Sequence, residues 1–218
     1  MGRLAPSVIS ADFSNLAASL GAVESSSSSW HVDVMDGHYV PNLTIGPMVV
    51  EAIAKCSTLP QDVHVMISNV DDTWEWYAKA GARRIAFHAE VSADARKLAD
   101  VMRSAGVGPG LALNPDVPVS DIEPYLEVID HVIVMSVFPG FSGQKFIPES
   151  LPKLEELRKL VDGRGLDVEL YIDGGVSPAT APACIEAGAD VLISASAIFG
   201  APDPAAVAAE LAGIAAAR

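Results

Sequence analysis

Short apolar segments and longer segments with helical periodicity alternate along the whole chain. In the short segments, apolar residues are continuous or occupy every second position, which is typical of strands. In the longer ones, apolar residues recur every three or four positions, as on one face of a helix. The predicted strands are residues 4–10, 30–35, 61–66, 85–88, 110–113, 131–137, 168–173 and 191–194. The predicted helices are residues 15–24, 47–55, 72–80, 93–105, 122–128, 148–161, 179–187 and 204–217.

Eight strand–helix units in 218 residues predict an α/β protein, a (β/α)8 TIM barrel that forms a single catalytic domain over residues 1–218. Barrels of this kind typically contain roughly 200–250 residues. A doubly wound open sheet is the alternative for alternating strands and helices. Two observations disfavour it, because polar residues end at least four strands and no G-x-G-x-x-G motif follows the first strand.

Three predicted strands carry polar residues where a buried parallel strand is normally apolar. His31 and Asp33 share one face of the second strand, and Asp62 and His64 share one face of the third, because alternate side chains point the same way. The seventh strand ends at Asp173. Buried ionised carboxylates need a compensating charge. The set His31, Asp33, His64 and Asp173 therefore predicts a site for one divalent metal ion per chain, with Zn²⁺, Fe²⁺, Mn²⁺ and Co²⁺ as candidates.

Candidate substrate contacts follow the strands. Turns after the sixth, seventh and eighth strands are rich in small residues, and the loops after the last two strands of such barrels commonly bind phosphate. Each turn alone is also explained as a simple chain reversal. Three methionines near the predicted metal site either fill the core or form a water-poor wall against a substrate. The candidates are Ser10, Met35, His64, Met66, Met135, Gly140, Phe141, Ser142, Gly143, Gly174, Gly175, Ala195 and Ser196.

Composition narrows the partners. The formal net charge is −14, which argues against nucleic acid and against anionic membrane surfaces. No apolar run approaches the roughly 20 residues of a membrane span. The N-terminal residues lack a long apolar region, so no signal peptide is predicted. Cys56 and Cys184 form no C-x-x-C pair and are interpreted as free thiols in a reducing cytoplasm. A phosphate substrate of this acidic protein is expected to bind through backbone N–H groups.

With these motifs in order, the chain resembles the ribulose-phosphate 3-epimerase family over almost its full length. The most specific stretch is residues 31–42, HVDVMDGHYVPN. The other matching stretches are LAPSVISADF at 4–13, DVHVM at 62–66, PGFSGQKF at 139–146 and DGGV at 173–176. The chain departs from the family pattern at Phe138, Ser142 and Ala195. It also departs at Trp30, which directly precedes His31 where the family usually has one more apolar residue between them. Ser142 and Ala195 stand where the family usually has Gly, and their Cβ atoms leave less room for the backbone to contact a phosphate.

The resemblance implies a metal-dependent epimerase of the pentose phosphate pathway that converts D-ribulose 5-phosphate to D-xylulose 5-phosphate. By resemblance, His31, Asp33, His64 and Asp173 match the metal ligands, and Asp33 and Asp173 also match the two acid–base carboxylates. Ser10, His64, the turn at 140–143, residues 173–175 and residues 195–196 match substrate contacts. The resemblance implies no organic cofactor. A homo-oligomer, either a dimer or a hexamer, is also expected.

Epimerisation at C3 removes a proton next to a carbonyl, and two carboxylates on opposite faces of the planar intermediate give inversion. Three alternatives remain. A sister epimerase acts on a six-carbon ketose phosphate such as allulose 6-phosphate. A metal-dependent aldolase or synthase cleaves C–C bonds on the same scaffold, and a Schiff-base aldolase is disfavoured because no Lys lies at a predicted strand end. A binding barrel without activity has no need of opposed carboxylates.

Overall fold

The computed structural model describes residues 2–217, in which strands and helices alternate. The strands are β1 Arg3–Pro6, β2 Trp30–Met35, β3 Gln61–Met66, β4 Ala82–His88, β5 Gly108–Leu113, β6 His131–Met135, β7 Glu169–Asp173 and β8 Val191–Ser194. The helices are α1 Leu16–Gly21, α2 Pro47–Cys56, α3 Val70–Ala80, α4 Ala95–Ser104, α5 Ser150–Arg164, α6 Ala181–Glu186, α7 Ser196–Phe199 and α8 Pro204–Ala216.

The eight strands form one parallel sheet in the order β1-β8-β7-β6-β5-β4-β3-β2. A parallel bridge between Ser7 and His31 joins the two outer strands, so the sheet is a nearly closed barrel. The predicted (β/α)8 TIM barrel is thereby confirmed. Across the described residues, no helix combines the length and the apolar character needed to cross a membrane.

The alternation within the strands sorts the side chains into two layers. Outward-facing valines of β2 and β3 join the large core between the barrel and its helices. Inside the barrel, a smaller apolar cluster includes Ala86, Ala112, Ile133 and Tyr171. Small residues on β4 and β5 leave room for the polar side chains of β2 and β3, which are fully or almost fully buried. The polar faces predicted from the sequence therefore point into the barrel.

Several predicted boundaries are wrong. The first strand ends at Pro6, and residues 8–10 form a 3₁₀ turn in which the Ser7 hydroxyl accepts a hydrogen bond from the Ile9 N–H. The sixth strand ends at Met135 rather than at residue 137. Residues 122–128, predicted as a helix, contain only the 3₁₀ turn Glu123–Tyr125, in which Pro124 removes a backbone donor. The short helix α7 directly after β8 was not predicted.

Candidate active site and metal centre

Strand register brings the predicted polar residues together at the carboxyl end of the barrel. β2 and β3 pair so that Asp33 lies opposite His64 and Met35 lies opposite Met66. β6 and β7 pair Met135 with Asp173. Residues in register on neighbouring parallel strands point to the same side of the sheet, which here is the barrel interior. These side chains therefore lie near the carboxyl ends of the strands, where barrels of this kind carry their active sites.

Four side chains converge to form the candidate metal centre: His31, Asp33, His64 and Asp173. Each offers one ligand atom, and these atoms all lie within 4.8 Å of one another. His31 Nε2 lies 3.2 Å from Asp33 Oδ1 and 3.8 Å from Asp173 Oδ2. His64 Nδ1 lies 3.5 Å from the same Asp33 oxygen. Asp33 Oδ1 is therefore the common neighbour of both imidazoles.

The donor set fits a divalent transition metal. Both histidines are fully buried, Asp33 is 5% exposed, and His64 Nδ1 has no hydrogen-bond partner among the described residues. An orphaned buried nitrogen aimed at a carboxylate is costly unless something binds it. Two imidazole nitrogens and two carboxylate oxygens suit Zn²⁺, Fe²⁺, Mn²⁺ or Co²⁺. The four residues could therefore hold a single cation between them.

The two carboxylates have opposite pKa shifts. Burial raises the pKa of Asp33, but the charges of His31 and His64, together with the hydrogen bond from His31, outweigh it and hold that pKa well below its usual range. Burial, together with the neighbouring charge of Asp33, raises the pKa of Asp173 to about 7. Two close carboxylates with separated pKa values are suited to opposite roles in proton transfer.

The two histidines also differ. Burial lowers the pKa of His31, yet the charge of Asp33 and its hydrogen bond raise it overall to about 9. Burial lowers the pKa of His64, and the attraction of Asp33 only partly offsets this effect. His31, which also faces Asp173, therefore interacts more strongly with the negative charge of the site than His64 does.

Ser7 is a site residue that sequence reasoning missed. The Ser7 hydroxyl donates a hydrogen bond to Asp33 Oδ2, and Ser7 lines the cavity above the candidate metal centre. Ser10 was predicted as the substrate contact because the predicted first strand extends to that residue. A proline at position 6 that ends the strand was the available signal, since it makes Ser7 the first residue after the strand. The hydroxyl of Ser10 lies 2.8 Å from that of Ser142 instead.

A cavity of about 270 Å³ opens directly above the carboxylates. Met35, Met66 and Met135 are buried and line it, so they contribute to both the core and the cavity wall. Ser10 and His64 are the only predicted substrate contacts outside the described lining. The predicted residues that do line the cavity are Met35, Met66, Met135, Gly140, Phe141, Ser142, Gly143, Gly174, Gly175, Ala195 and Ser196.

Glycine turns form one side of this cavity. A Cβ at Gly174 would lie 2.5 Å from the Val137 side chain, and one at Gly175 would lie 2.6 Å from the Phe146 amide nitrogen. Packing therefore requires glycine at both positions. Gly143 differs, because the nearest atom to a Cβ there is Ser196 Oγ at 3.9 Å. No Lys or Arg is among the described residues of the lining, and Lys145 is exposed outside it.

Fold and site together define the class, a (β/α)8-barrel protein with paired carboxylates and imidazoles at the carboxyl ends of its strands. The model of the ribulose-phosphate 3-epimerase family matches residues 3–199, and the chain belongs to this family.

Relatives cover nearly the whole chain. It is 44% identical to the ribulose-phosphate 3-epimerase of Bacillus subtilis over 205 residues, covering 93% of this chain and 94% of that protein. It is 45% identical to the ribulose-phosphate 3-epimerase of Synechocystis over 204 residues, covering 92% of this chain and 88% of that protein. A solved structure of 3-hexulose-6-phosphate synthase matches with a TM-score of 0.73 at 21% identity, covering 97% of this chain and 99% of that one. This last likeness concerns the fold alone.

Proposed function

We propose that the protein is a ribulose-phosphate 3-epimerase, which interconverts D-ribulose 5-phosphate and D-xylulose 5-phosphate. The observation that carries the proposal is the carboxylate pair. Asp33 and Asp173 both line the cavity floor, and their pKa values are shifted in opposite directions. The family and the relatives at 44–45% identity support the same reaction.

In the proposed mechanism the two carboxylates exchange a proton with opposite faces of C3. Asp33, held ionised, takes the C3 proton from one face of the sugar. Asp173, whose pKa is raised by burial and by the charge of Asp33, returns a proton to the other face. The roles exchange in the reverse reaction. The Ser7 hydroxyl keeps Asp33 oriented through its hydrogen bond to Oδ2.

His31, Asp33, His64 and Asp173 would hold one divalent cation at the cavity floor. When bound, such a cation polarises the sugar carbonyl and offsets the negative charge that develops on the substrate oxygens. Zn²⁺, Fe²⁺, Mn²⁺ and Co²⁺ all suit this donor set. The methionine side chains around the floor keep water away from the reacting carbons.

The phosphate is assigned to the glycine turns. Gly143, Gly174 and Gly175 expose backbone on one side of the cavity, and Ser196 lies across from Gly143. Backbone N–H groups bind phosphate without a side-chain cation. In this proposal Lys145 takes no part, because it lies outside the described lining.

The proposal also places the protein in the cytoplasm as a homo-oligomer, a dimer or a hexamer. Free Cys56 and Cys184 support a reducing compartment. Exposed Leu43 and Met48 support a contact between subunits, since 75% and 82% of their surfaces are exposed. Light scattering of the purified protein measures the assembly directly.

The test combines metal content with substrate choice. Purified protein is analysed for metals, stripped with a chelator and reloaded with each candidate ion. D-ribulose 5-phosphate and allulose 6-phosphate are then compared as substrates. We expect activity to disappear on stripping, to return with a divalent transition metal and to favour the five-carbon sugar. Full activity in metal-free protein, or preference for the six-carbon sugar, would contradict the respective part of the proposal.

A further inference from the structure

A third buried histidine, His88, lies behind the candidate metal centre. It is the last residue of β4 and is fully buried. Its Nε2 lies 3.0 Å from His64 Nε2, and the two ring centroids are 5.1 Å apart. His64 therefore faces Asp33 with one ring nitrogen and His88 with the other. The mechanism above gives His88 no part.

The contact between the two rings fixes the position of a proton. A hydrogen bond between two imidazole nitrogens needs an N–H on one and a lone pair on the other. His64 Nδ1 must offer a lone pair to bind a cation, so in the neutral ring the proton resides on Nε2. His64 Nε2 is then the donor and His88 Nε2 is the acceptor.

The surroundings of His88 favour the matching tautomer. Its Nδ1 has no hydrogen-bond partner among the described residues but lies 3.8 Å from Glu90 Oε1, whose negative charge favours an N–H on that side. Glu90 Oε1 is itself held by the Tyr39 hydroxyl, which donates to it at 2.7 Å. Asn114 Nδ2 in turn donates to the Tyr39 oxygen at 2.7 Å. The Tyr39 ring also packs on His88, with centroids 4.7 Å apart.

The other imidazole of the centre has no such support. His31 presents Nε2 to the carboxylates, and its Nδ1 has no hydrogen-bond partner among residues 2–217. A hydrogen bond to the remote nitrogen of a ligating histidine fixes its tautomer and orientation and raises its basicity. Of the two imidazoles, only His64 obtains this support from a side chain of the described protein.

We infer that His88 is a positioning residue that holds His64 as the Nε2–H tautomer and aims its Nδ1 at the cation site. The inference rests on the metal centre of the proposed function. Loss of such a partner typically weakens metal binding about 10–100-fold.

The test uses two variants of nearly equal side-chain length. His88→Gln retains an acceptor near the Nε2 position, and His88→Met removes it. The control, His131→Gln, alters another fully buried histidine of the barrel, which packs on Tyr171 rather than on a candidate ligand. Co²⁺ affinity is measured by competition with a chromophoric chelator, and circular dichroism verifies folding. We expect a loss of about 10–100-fold for His88→Met and near wild-type affinity for His88→Gln and His131→Gln.

A second readout is spectroscopic. Long-range ¹H–¹⁵N spectra of the Zn²⁺-loaded wild-type protein should show His88 protonated on Nδ1 and unprotonated on Nε2, the nitrogen that accepts from His64. Equal Co²⁺ affinity of wild type and His88→Met, or a wild-type His88 protonated on Nε2, would overturn the role of His88 alone. A wild-type protein that binds no Co²⁺ would overturn the proposed metal centre and this inference with it.

Discussion

Carboxylate side chains lie at both ends of the barrel interior, and different groups offset their negative charge at each end. At the carboxyl end, Asp33 and Asp173 converge with two histidines, and no Lys or Arg is among the described residues of the cavity above them. At the amino end, Asp62 and Glu169 meet arginines. The amino-end network consists of Arg3, Asp62, Arg84, Glu169 and Tyr171.

Within the amino-end network, each acid has a partner supplied by the chain. Arg84 Nη1 lies 3.0 Å from Glu169 Oε2 and 3.9 Å from Asp62 Oδ2. The Tyr171 hydroxyl donates to Asp62 Oδ2 at 3.2 Å, and Arg3 pairs with Glu169. At this end the countercharges come from the chain itself, although Asp62 Oδ1 has no hydrogen-bond partner among the described residues. At the carboxyl end, the proposed cation would supply the countercharge that the described cavity residues lack. The same residue types then form an ion-pair network at one end and a candidate reactive site at the other.

Changing one carboxylate at each end tests the comparison most severely. Asp33→Asn and Asp173→Asn should each lower kcat by about 10²–10⁴-fold, because each removes a proton-transfer group. The matched control is Asp62→Asn at the amino end, which should leave kcat near the wild-type value. Steady-state assays on D-ribulose 5-phosphate provide the measurement. Comparable losses in all three variants would mean that the two ends do not differ in this way.

Removing the cation of the amino end should affect stability instead of turnover. Arg84→Met leaves Asp62, which is 2% exposed, without its main countercharge and should cost about 3–5 kcal/mol in the free energy of unfolding. Burial already raises the pKa of Asp62, so the cost should grow as pH rises and the carboxyl ionises. Urea denaturation at pH 5 and pH 8 measures both effects.

The control for Arg84→Met is a surface ion pair. Lys79 pairs with Glu75 at 2.7 Å on helix α3, where both side chains are more than half exposed. Lys79→Met should change the free energy of unfolding by less than about 1 kcal/mol. Similar losses in the two variants would show that the amino-end network behaves as ordinary surface charge.

A third prediction sharpens the claim that the carboxyl end binds anions without a side-chain cation. Gly143→Val should raise KM roughly 10–100-fold, because the side chain blocks backbone donors and each charged hydrogen bond contributes about 1.5–3 kcal/mol. Gly165→Val, at a φ of 63° on the end of α5, controls for the strain at the φ of 79° of Gly143. Lys145→Ala should change KM little. A larger effect of Lys145→Ala than of Gly143→Val would assign the phosphate to that cation.

The repeat of strands and helices, and the polar faces of β2 and β3, could be predicted because periodicity of two and of 3.6 is visible in one sequence. The candidate ligands His31, Asp33, His64 and Asp173 followed from the same faces. What could not be predicted depends on register. Asp62 has the same phase as His64, yet it lies one layer lower in the barrel.

A register shift between Gln61 and Asp62 places Asp62 beside Arg84 rather than Arg83. Nothing in the sequence of β3 alone announces that shift. His88 is the last residue of the predicted strand 85–88, but its contact with His64 depends on how β3 and β4 pair. Ser10 was predicted in place of Ser7 because the predicted first strand ran past Pro6 to residue 10. The fold was predicted correctly, and only the end of this strand was wrong.

The smallest expected effect concerns the histidines of the two ends. His31, beside two carboxylates, has a pKa raised to about 9, whereas burial lowers the pKa of His131 at the amino end to about 3, with a further contribution from the charge of Arg84. His131 in the unfolded chain binds a proton near pH 6.5, whereas in the folded protein it stays neutral until much lower pH. The neutral buried His131 therefore costs no stability above pH 6.5, and the free energy of unfolding falls as pH drops from 6.5 toward 3. Between those values, wild type should lose up to about 1.4 kcal/mol per pH unit more than His131→Gln. Urea denaturation of both proteins at pH 7, 6 and 5 measures the difference, since acidic groups common to both cancel. Parallel curves would mean that His131 binds a proton as readily in the folded barrel as in the unfolded chain, so that burial does not lower its pKa.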